Sequence, residues 1–281
     1  MLAIACGVGA ALVFATVTLC NTRSSRLIGP RAVLGGVMTV GLVVLSPVAL
    51  AGGVPSGLDG RAVWWMAVAG VGDIVGLLLA YAGLQVGKVG IVAPIVSTQG
   101  AVAAVISVAA GERLAGAAAA LLALIVAGVV LAGTQRGTPG GHPKRATGFA
   151  VGAAAAIGVS LYAIGQVSAA LPVVWALLPS RIVGVLAIVV PLGLRGQLSM
   201  TRAALPFVLI AGVGEVAGFG LFAIGSRAGL AVTAVLSSLF AAIAAVGARV
   251  LFGERLTRVQ LAGAGVVVAA VGALSGVQAT T

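Results

Sequence analysis

Long apolar runs separated by short polar segments make up most of this chain. A transmembrane helix needs about 20 mostly apolar residues, and ten runs reach or approach that length. Their Gly-, Ala- and Val-rich composition favours helices over barrel strands, which would alternate apolar and polar positions. The pattern predicts an all-α integral membrane protein with ten transmembrane helices. They are predicted at 2–20, 31–51, 63–84, 89–110, 115–133, 148–168, 173–194, 204–225, 229–252 and 259–277.

Composition places these helices in a lipid bilayer. Of the 281 residues, 61% are hydrophobic and only 7% are charged, whereas soluble domains carry about 25% charged residues. A net charge of +11 would suggest nucleic acid as a partner of a soluble protein. Here the basic residues lie between the apolar runs, where they set the orientation of a membrane protein. We therefore expect a multi-pass protein of the cytoplasmic membrane and no nucleic-acid partner.

Nothing in the sequence indicates a cofactor or a metal. Cys6 and Cys20 both lie in the first apolar run, where a thiol behaves as a small hydrophobic group. His142, the only histidine, lies in a loop without a cysteine or histidine nearby. We expect neither a disulfide nor a metal site, and no cofactor.

The two halves of the chain repeat each other. A shift of 142 residues places Gly72-Asp73 on Gly214-Glu215, and "GERL" at 111–114 on "GERL" at 253–256. The longest loop, "GTQRGTPGGHPKRATG", separates the halves. We assign a first five-helix repeat to 1–135, a basic linker to 136–147 and a second repeat to 148–281.

An odd number of helices per repeat means that the second copy enters the membrane upside down. Inverted repeats of this kind are a common architecture of secondary transporters, which place the substrate near the membrane midplane between the repeats. The repeat therefore predicts a transporter whose substrate site lies between the two halves, without naming a cargo.

This arrangement resembles a known family. Two five-helix halves with "GERL" before the last helix of each half are similar to the EamA-type transporters of the drug/metabolite transporter superfamily. The clearest stretch is 229–274, which resembles the penultimate helix, the Gly-Glu-Arg turn and the closing helix of that family. The resemblance implies the fold and a carrier of small metabolites or drugs.

Asp73 and Glu215 are the main candidates for a functional site. Each lies about ten residues, or about 15 Å, from either end of its predicted helix. An acid at that depth costs at least about 2.5 kcal/mol on insertion scales and usually has a function, such as carrying a proton or binding a cationic solute. The alternative is a structural ion pair with Arg181 or, next, Arg249. The sequence leaves both interpretations open.

Other polar residues are weaker candidates. Gln99, Tyr162 and Gln166 are large polar side chains inside predicted helices, and they are candidates for lining a cavity. We interpret the two "GERL" turns as structural, with a capping or ion-pairing carboxylate in each. The turn residues are Gly111, Glu112, Gly253 and Glu254.

We therefore predict a non-enzymatic, proton-coupled exporter of small metabolites such as amino acids, or of drugs, acting as a monomer or a homodimer. An uncoupled facilitator and a non-transporting membrane assembly subunit are the alternatives. A membrane-embedded lipid enzyme is the least supported, because the sequence holds neither His-Glu-x-x-His nor Gly-x-Ser-x-Gly. The scarcity of aromatics favours small polar cargo, whereas two buried acids favour cationic cargo.

The orientation of the chain has two conflicting indications. Basic residues concentrate in the segments after the odd-numbered predicted helices, and the positive-inside rule then places both termini outside. The family resemblance implies both termini inside.

Overall fold

A computed structural model of the chain describes residues 1–86, 92, 95–133 and 143–252, and the isolated positions 259, 262, 263, 265, 266, 269, 270 and 273. These residues form helices joined by turns, with no strand among them, so the all-α prediction is confirmed. The helices are α1 (Leu2–Ile28), α2 (Pro30–Gly52), α3 (Gly60–Val86), α4 (Gln99–Ala109), α5 (Gly116–Gly133), α6 (Pro143–Ala170), α7 (Val173–Leu194), α8 (Leu205–Ser226), α9 (Leu230–Ser237) and α10 (Phe240–Phe252).

Within the described part of the chain, six helices are long and apolar enough to cross a membrane: α1, α2, α3, α6, α7 and α8. They correspond to predicted helices 1, 2, 3, 6, 7 and 8. The helices at predicted positions 4, 5 and 9 are apolar but shorter. Predicted helix 10 lies largely outside the described residues. Six spans are therefore supported, and the count of ten stays a prediction.

Predicted helix 9 is interrupted. It is divided into α9 and α10 by a turn at Ser238 and Leu239. The hydroxyls of Ser237 and Ser238 both donate to the Ala234 carbonyl, at 2.9 and 3.2 Å. Serine hydroxyls compete in this way with the backbone ladder, which favours a helix end or a bend.

Helix α4 begins after a similar interruption. A turn at Ser97 and Thr98 precedes it, and the Thr98 hydroxyl donates to the Ile95 carbonyl at 2.7 Å. The shift of 142 residues places Ser97 on Leu239, so the two turns occupy equivalent places in the two halves. Pro94, the other bend signal in this segment, lies outside the described residues.

Close helix pairs join the two halves. Helix α3 packs along α6, and α1 packs along α8. Glycines allow the approach: a Cβ on Gly76 would lie 2.3 Å from Ile157 Cγ1, and one on Gly218 would lie 2.5 Å from Phe14 Cε1. Small residues at such crossings are typical of membrane helices, whose association depends on close van der Waals packing.

The crossing of α4 and α9 generates a first prediction. The Gly100 N–H donates to Ser238 Oγ at 3.1 Å, and a Cβ on Gly100 would lie 2.0 Å from the Ala234 carbonyl oxygen. We expect Gly100→Ala to lower the free energy of unfolding by about 1–3 kcal/mol, because the helices must separate. The midpoint of thermal unfolding of the purified protein in detergent measures this effect.

Gly220→Ala in α8 is the matched control, because a Cβ there meets no described atom within 4 Å. It should raise the midpoint slightly, since alanine is a better helix former than glycine. Equal midpoint shifts in both variants would contradict the assigned crossing.

Candidate functional site

A buried arginine lies at the centre of the candidate site. Arg181 of α7 has no solvent-exposed surface and forms an ion pair through Nη1 with Oε2 of Glu215 on α8. Nη1 also lies 3.3 Å from the Met38 thioether sulfur, and Cζ lies 5.6 Å from the ring centroid of Phe219. Glu215 is only 13% exposed, so both charges of the pair are largely removed from solvent.

Asp73 belongs to the same cluster. It is the middle residue of α3 and is only 4% exposed. The charges of Arg181 and Glu215 both act on Asp73, but no ion pair between Asp73 and Arg181 forms within the described part of the chain. We call Asp73, Arg181 and Glu215 the charge cluster. Two acids share one base, so the fully ionised cluster carries a net charge of −1.

Small residues and a proline bring the helices close enough to build this cluster. A Cβ on Gly41 of α2 would lie 2.8 Å from Arg181 Cδ, and one on Gly70 of α3 would lie 2.8 Å from the Pro179 carbonyl carbon. Pro179 lies two residues before Arg181 in α7 and interrupts the hydrogen-bond ladder there. The backbones of α2 and α3 therefore approach α7 directly at the cluster.

A cavity of about 240 Å³ lies between α2, α3 and α7. We call it the α2–α3–α7 cavity. Its polar lining residues are Arg31, Tyr81, Gln85 and Arg195. A π-helical segment of α7, Val185–Val189, contributes to the wall, and such segments often occur at functional sites.

One apolar layer separates this cavity from the charge cluster. Met38 and Ile74 are 0% and 2% exposed. A Cβ on Gly184 would lie 2.6 Å from Met38 Cγ and 3.0 Å from Ile74 Cδ1. Met38 of α2, Ile74 of α3 and Gly184 of α7 each lie, along their own helix, between the cavity lining and the charge cluster. They therefore close the cavity on the side of Arg181.

The other predicted polar residues lie elsewhere. Tyr162 of α6 is buried and packs edge-on against Trp65, with ring centroids 5.6 Å apart. Gln166 follows one turn later and is half-buried, as is Gln99 at the start of α4. Their contacts with a cargo stay a prediction. Arg249 lies in α10, but its side chain is outside the described residues.

Comparison with known protein families finds one match, over the first part of the chain. Residues 1–134 match the EamA-like transporter family. The resemblance stated from the sequence is confirmed, although the match falls on the first half, whereas the clearest quoted stretch was in the second. No curated protein matches the chain.

A solved crystal structure has the same fold as this chain. It covers 99% of this chain and 97% of its own chain, with a TM-score of 0.78 and 21% sequence identity. Its title is "Crystal structure of protein". At this identity the likeness establishes the fold alone.

Sequence reasoning missed several residues of the candidate site. Phe219 lies one turn after Glu215, so helical spacing alone places it on the same face. Nothing in the sequence indicated Met38 as a site residue, because a methionine in an apolar helix is common. Arg31 and Arg195 counted among the loop cations that indicate orientation, and only the packing of α2 against α7 reveals that they share a cavity.

The first "GERL" turn has a structural geometry. The Glu112 carboxylate accepts the Ala231 N–H at the start of α9, at 3.0 Å, and also accepts the Ser107 hydroxyl. Gly111 has a φ of +109°, which favours glycine. Glu112 therefore caps a helix of the second half from a turn of the first. Gly253 and Glu254 lie outside the described residues.

Removal of this cap generates a second prediction. We expect Glu112→Ala to lower the free energy of unfolding by about 1 kcal/mol, because an N-terminal N–H of α9 loses its acceptor. Arg113→Ala, at the next and exposed position of the turn, is the control and should change little. Unfolding midpoints in detergent test this, and an unchanged Glu112→Ala midpoint would contradict the cap.

The buried ion pair generates a third prediction. Arg181→Met leaves the Glu215 carboxylate without its partner and should lower the free energy of unfolding by about 3 kcal/mol or more. The double variant Arg181→Met/Glu215→Gln removes both charges and should recover part of that loss. If the double variant unfolds as easily as the single one, the arginine contributes packing and not an ion pair.

Proposed function

We propose that this protein is a proton-coupled secondary transporter that exports small metabolites such as amino acids, or drugs, across the cytoplasmic membrane. The EamA match and the long apolar helices support a membrane transporter in general. The cargo, the coupling ion and the direction are part of the proposal. Asp73 and Glu215 would serve as proton sites, with Arg181 as the base that they share.

The observation that carries the proposal is the composition of the charge cluster. Two carboxylates and one guanidinium meet at the middle of α3 and α8, in a largely buried position. An uncompensated charge in an apolar interior is costly. A proton on one carboxyl, or a cationic group of a cargo, makes the cluster neutral. A site that becomes neutral on binding either a proton or a cationic cargo is suited to exchange the proton for the cargo.

The arrangement of helices supports an inverted repeat around this cluster. Exchange of the two halves converts the pair α3 and α6 into the pair α8 and α1, and both pairs pack closely. The interruptions before α4 and between α9 and α10 are also equivalent. Broken helices at corresponding positions of two repeats often mark the binding site of a transporter. We place the cargo between 1–135 and 148–281, in a ten-span architecture.

Transport by neutralised variants provides the fourth prediction. In proteoliposomes with a pH-sensitive dye inside, a panel of amino acids and cationic drugs should reveal a cargo that moves protons with the wild-type protein. Asp73→Asn and Glu215→Gln should each abolish that proton movement. The reason is that neither side chain can then gain or lose a proton.

Asp59→Asn is the matched control, because Asp59 lies in an exposed turn where its carboxylate accepts the Ala62 N–H at 2.7 Å. It should move protons as the wild type does. Cargo flux without proton movement in the wild type would favour the uncoupled facilitator. No flux of any cargo, from protein that is folded in the vesicles, would favour the assembly subunit.

A further inference from the structure

Arg181 has hydrogen-bonding capacity that the charge cluster does not use. Its ion pair with Glu215 and its contact with Met38 both involve Nη1. Nε and Nη2 are buried and have no hydrogen-bond partner among the described residues. Buried donors without partners are rare in folded proteins, because each costs its desolvation energy without compensation. These two atoms therefore point to a ligand.

The geometry of the two free donors specifies the ligand chemistry. Nε and Nη2 form one edge of the planar guanidinium, and their N–H bonds point in the same direction. This edge matches the two oxygens of a carboxylate, which it binds through two parallel hydrogen bonds. The Glu215 carboxylate binds Nη1, which is not part of this edge, so Nε and Nη2 stay free.

We propose that the Nε–Nη2 edge of Arg181 binds the carboxylate of the cargo, so that small organic carboxylates are the substrate class. This inference rests on the proposed transport function. It adds a recognition site to a cluster that otherwise handles only protons or cations. A cargo that carries both a carboxylate and an amino group also meets an acceptor in the cluster, because Asp73 is the acid that Arg181 leaves without an ion pair.

The α2–α3–α7 cavity provides the approach for an anion. Arg31 and Arg195 are exposed at its lining, and two like charges at the mouth of a cleft raise the local concentration of anions. The buried side chains of Met38 and Ile74 lie between this cavity and the cluster, so they must move for an anion to reach Arg181. The π-helical segment Val185–Val189 lies on α7 between Arg195 and Arg181, where α7 departs from regular helix geometry.

Ligand-dependent stabilisation of the purified protein in detergent tests the proposal. The probes are acetate, 4-methylpentanoate and L-leucine, each paired with the amide that lacks the carboxylate: acetamide, 4-methylpentanamide and L-leucinamide. Of the three amides, only L-leucinamide carries a charge, on its ammonium group. We expect at least one carboxylate to raise the midpoint of thermal unfolding and its amide to have no effect. Chloride and inorganic phosphate are run at the same concentration and should not reproduce the stabilisation.

Arg181→Lys is the decisive variant. A lysine keeps the positive charge beside Glu215 but lacks the two parallel donors, so the dissociation constant of the stabilising carboxylate should rise by about tenfold or more. Arg227→Lys is the matched control. Nε and Nη2 of Arg227 donate to the carbonyls of Ser168 and Leu171, at 2.6 and 2.9 Å, at the end of α6. That variant should bind the carboxylate as the wild type does.

Three results would overturn the proposal: equal stabilisation by each carboxylate and its amide, equal stabilisation by chloride or phosphate, or an unchanged dissociation constant in Arg181→Lys. Proton movement with an amide or a cationic drug, together with an unchanged dissociation constant for carboxylates in Arg181→Lys, would leave the transport function intact while removing the carboxylate site. Conversely, Arg181-dependent carboxylate binding without proton movement would retain this site and remove proton coupling.

Discussion

The ion pair between Arg181 and Glu215 constrains how α2, α3, α7 and α8 pack against one another. A guanidinium that is completely removed from solvent is stable only if its charge is paired and its surroundings are polarisable. The structure meets both needs with a carboxylate from α8, a thioether from α2 and an aromatic ring from α8. Burial of the guanidinium also requires α2, α3 and α8 to pack closely around this part of α7. Gly41 and Gly70 make the close approach of α2 and α3 possible. The charge cluster and the close packing of α2, α3 and α7 are therefore one feature.

The packing between the two halves follows from the same need for close approach. In a bilayer the lipid tails are as apolar as leucine, so helices gain little from hiding apolar surface and associate through tight contact. Gly76 and Gly218 supply that contact in α3 and α8, one turn after each acid. The glycine positions an acidic helix against a helix of the other half. This gives a physical reason for the acid and the glycine that recur together in both halves of the sequence.

The sequence was informative wherever a single helix decides the structure. Apolar length predicted α1, α2, α3, α6, α7 and α8, and the cost of charge in lipid directed attention to Asp73, Glu215 and Arg181. It was less informative where several helices meet. The cavity depends on how α2, α3 and α7 cross, and the cap of α9 by Glu112 joins residues more than one hundred positions apart. Apolar length also concealed the turn at Ser238, because serine hydroxyls satisfy the backbone locally without changing the hydrophobic pattern.

The repeat predicts two equivalent acids, but the structure makes them different. A shift of 142 residues places Arg181 on Thr39, whose hydroxyl donates to the Gly35 carbonyl at 2.8 Å. The first half therefore has no arginine at that position. Glu215 is neutralised by its ion pair, whereas Asp73 is buried without one. A proton on Asp73 would leave the ion pair of Arg181 intact, whereas a proton on Glu215 would remove the charged partner of Arg181. The single arginine between two acids therefore gives the two proposed proton sites different electrostatic surroundings.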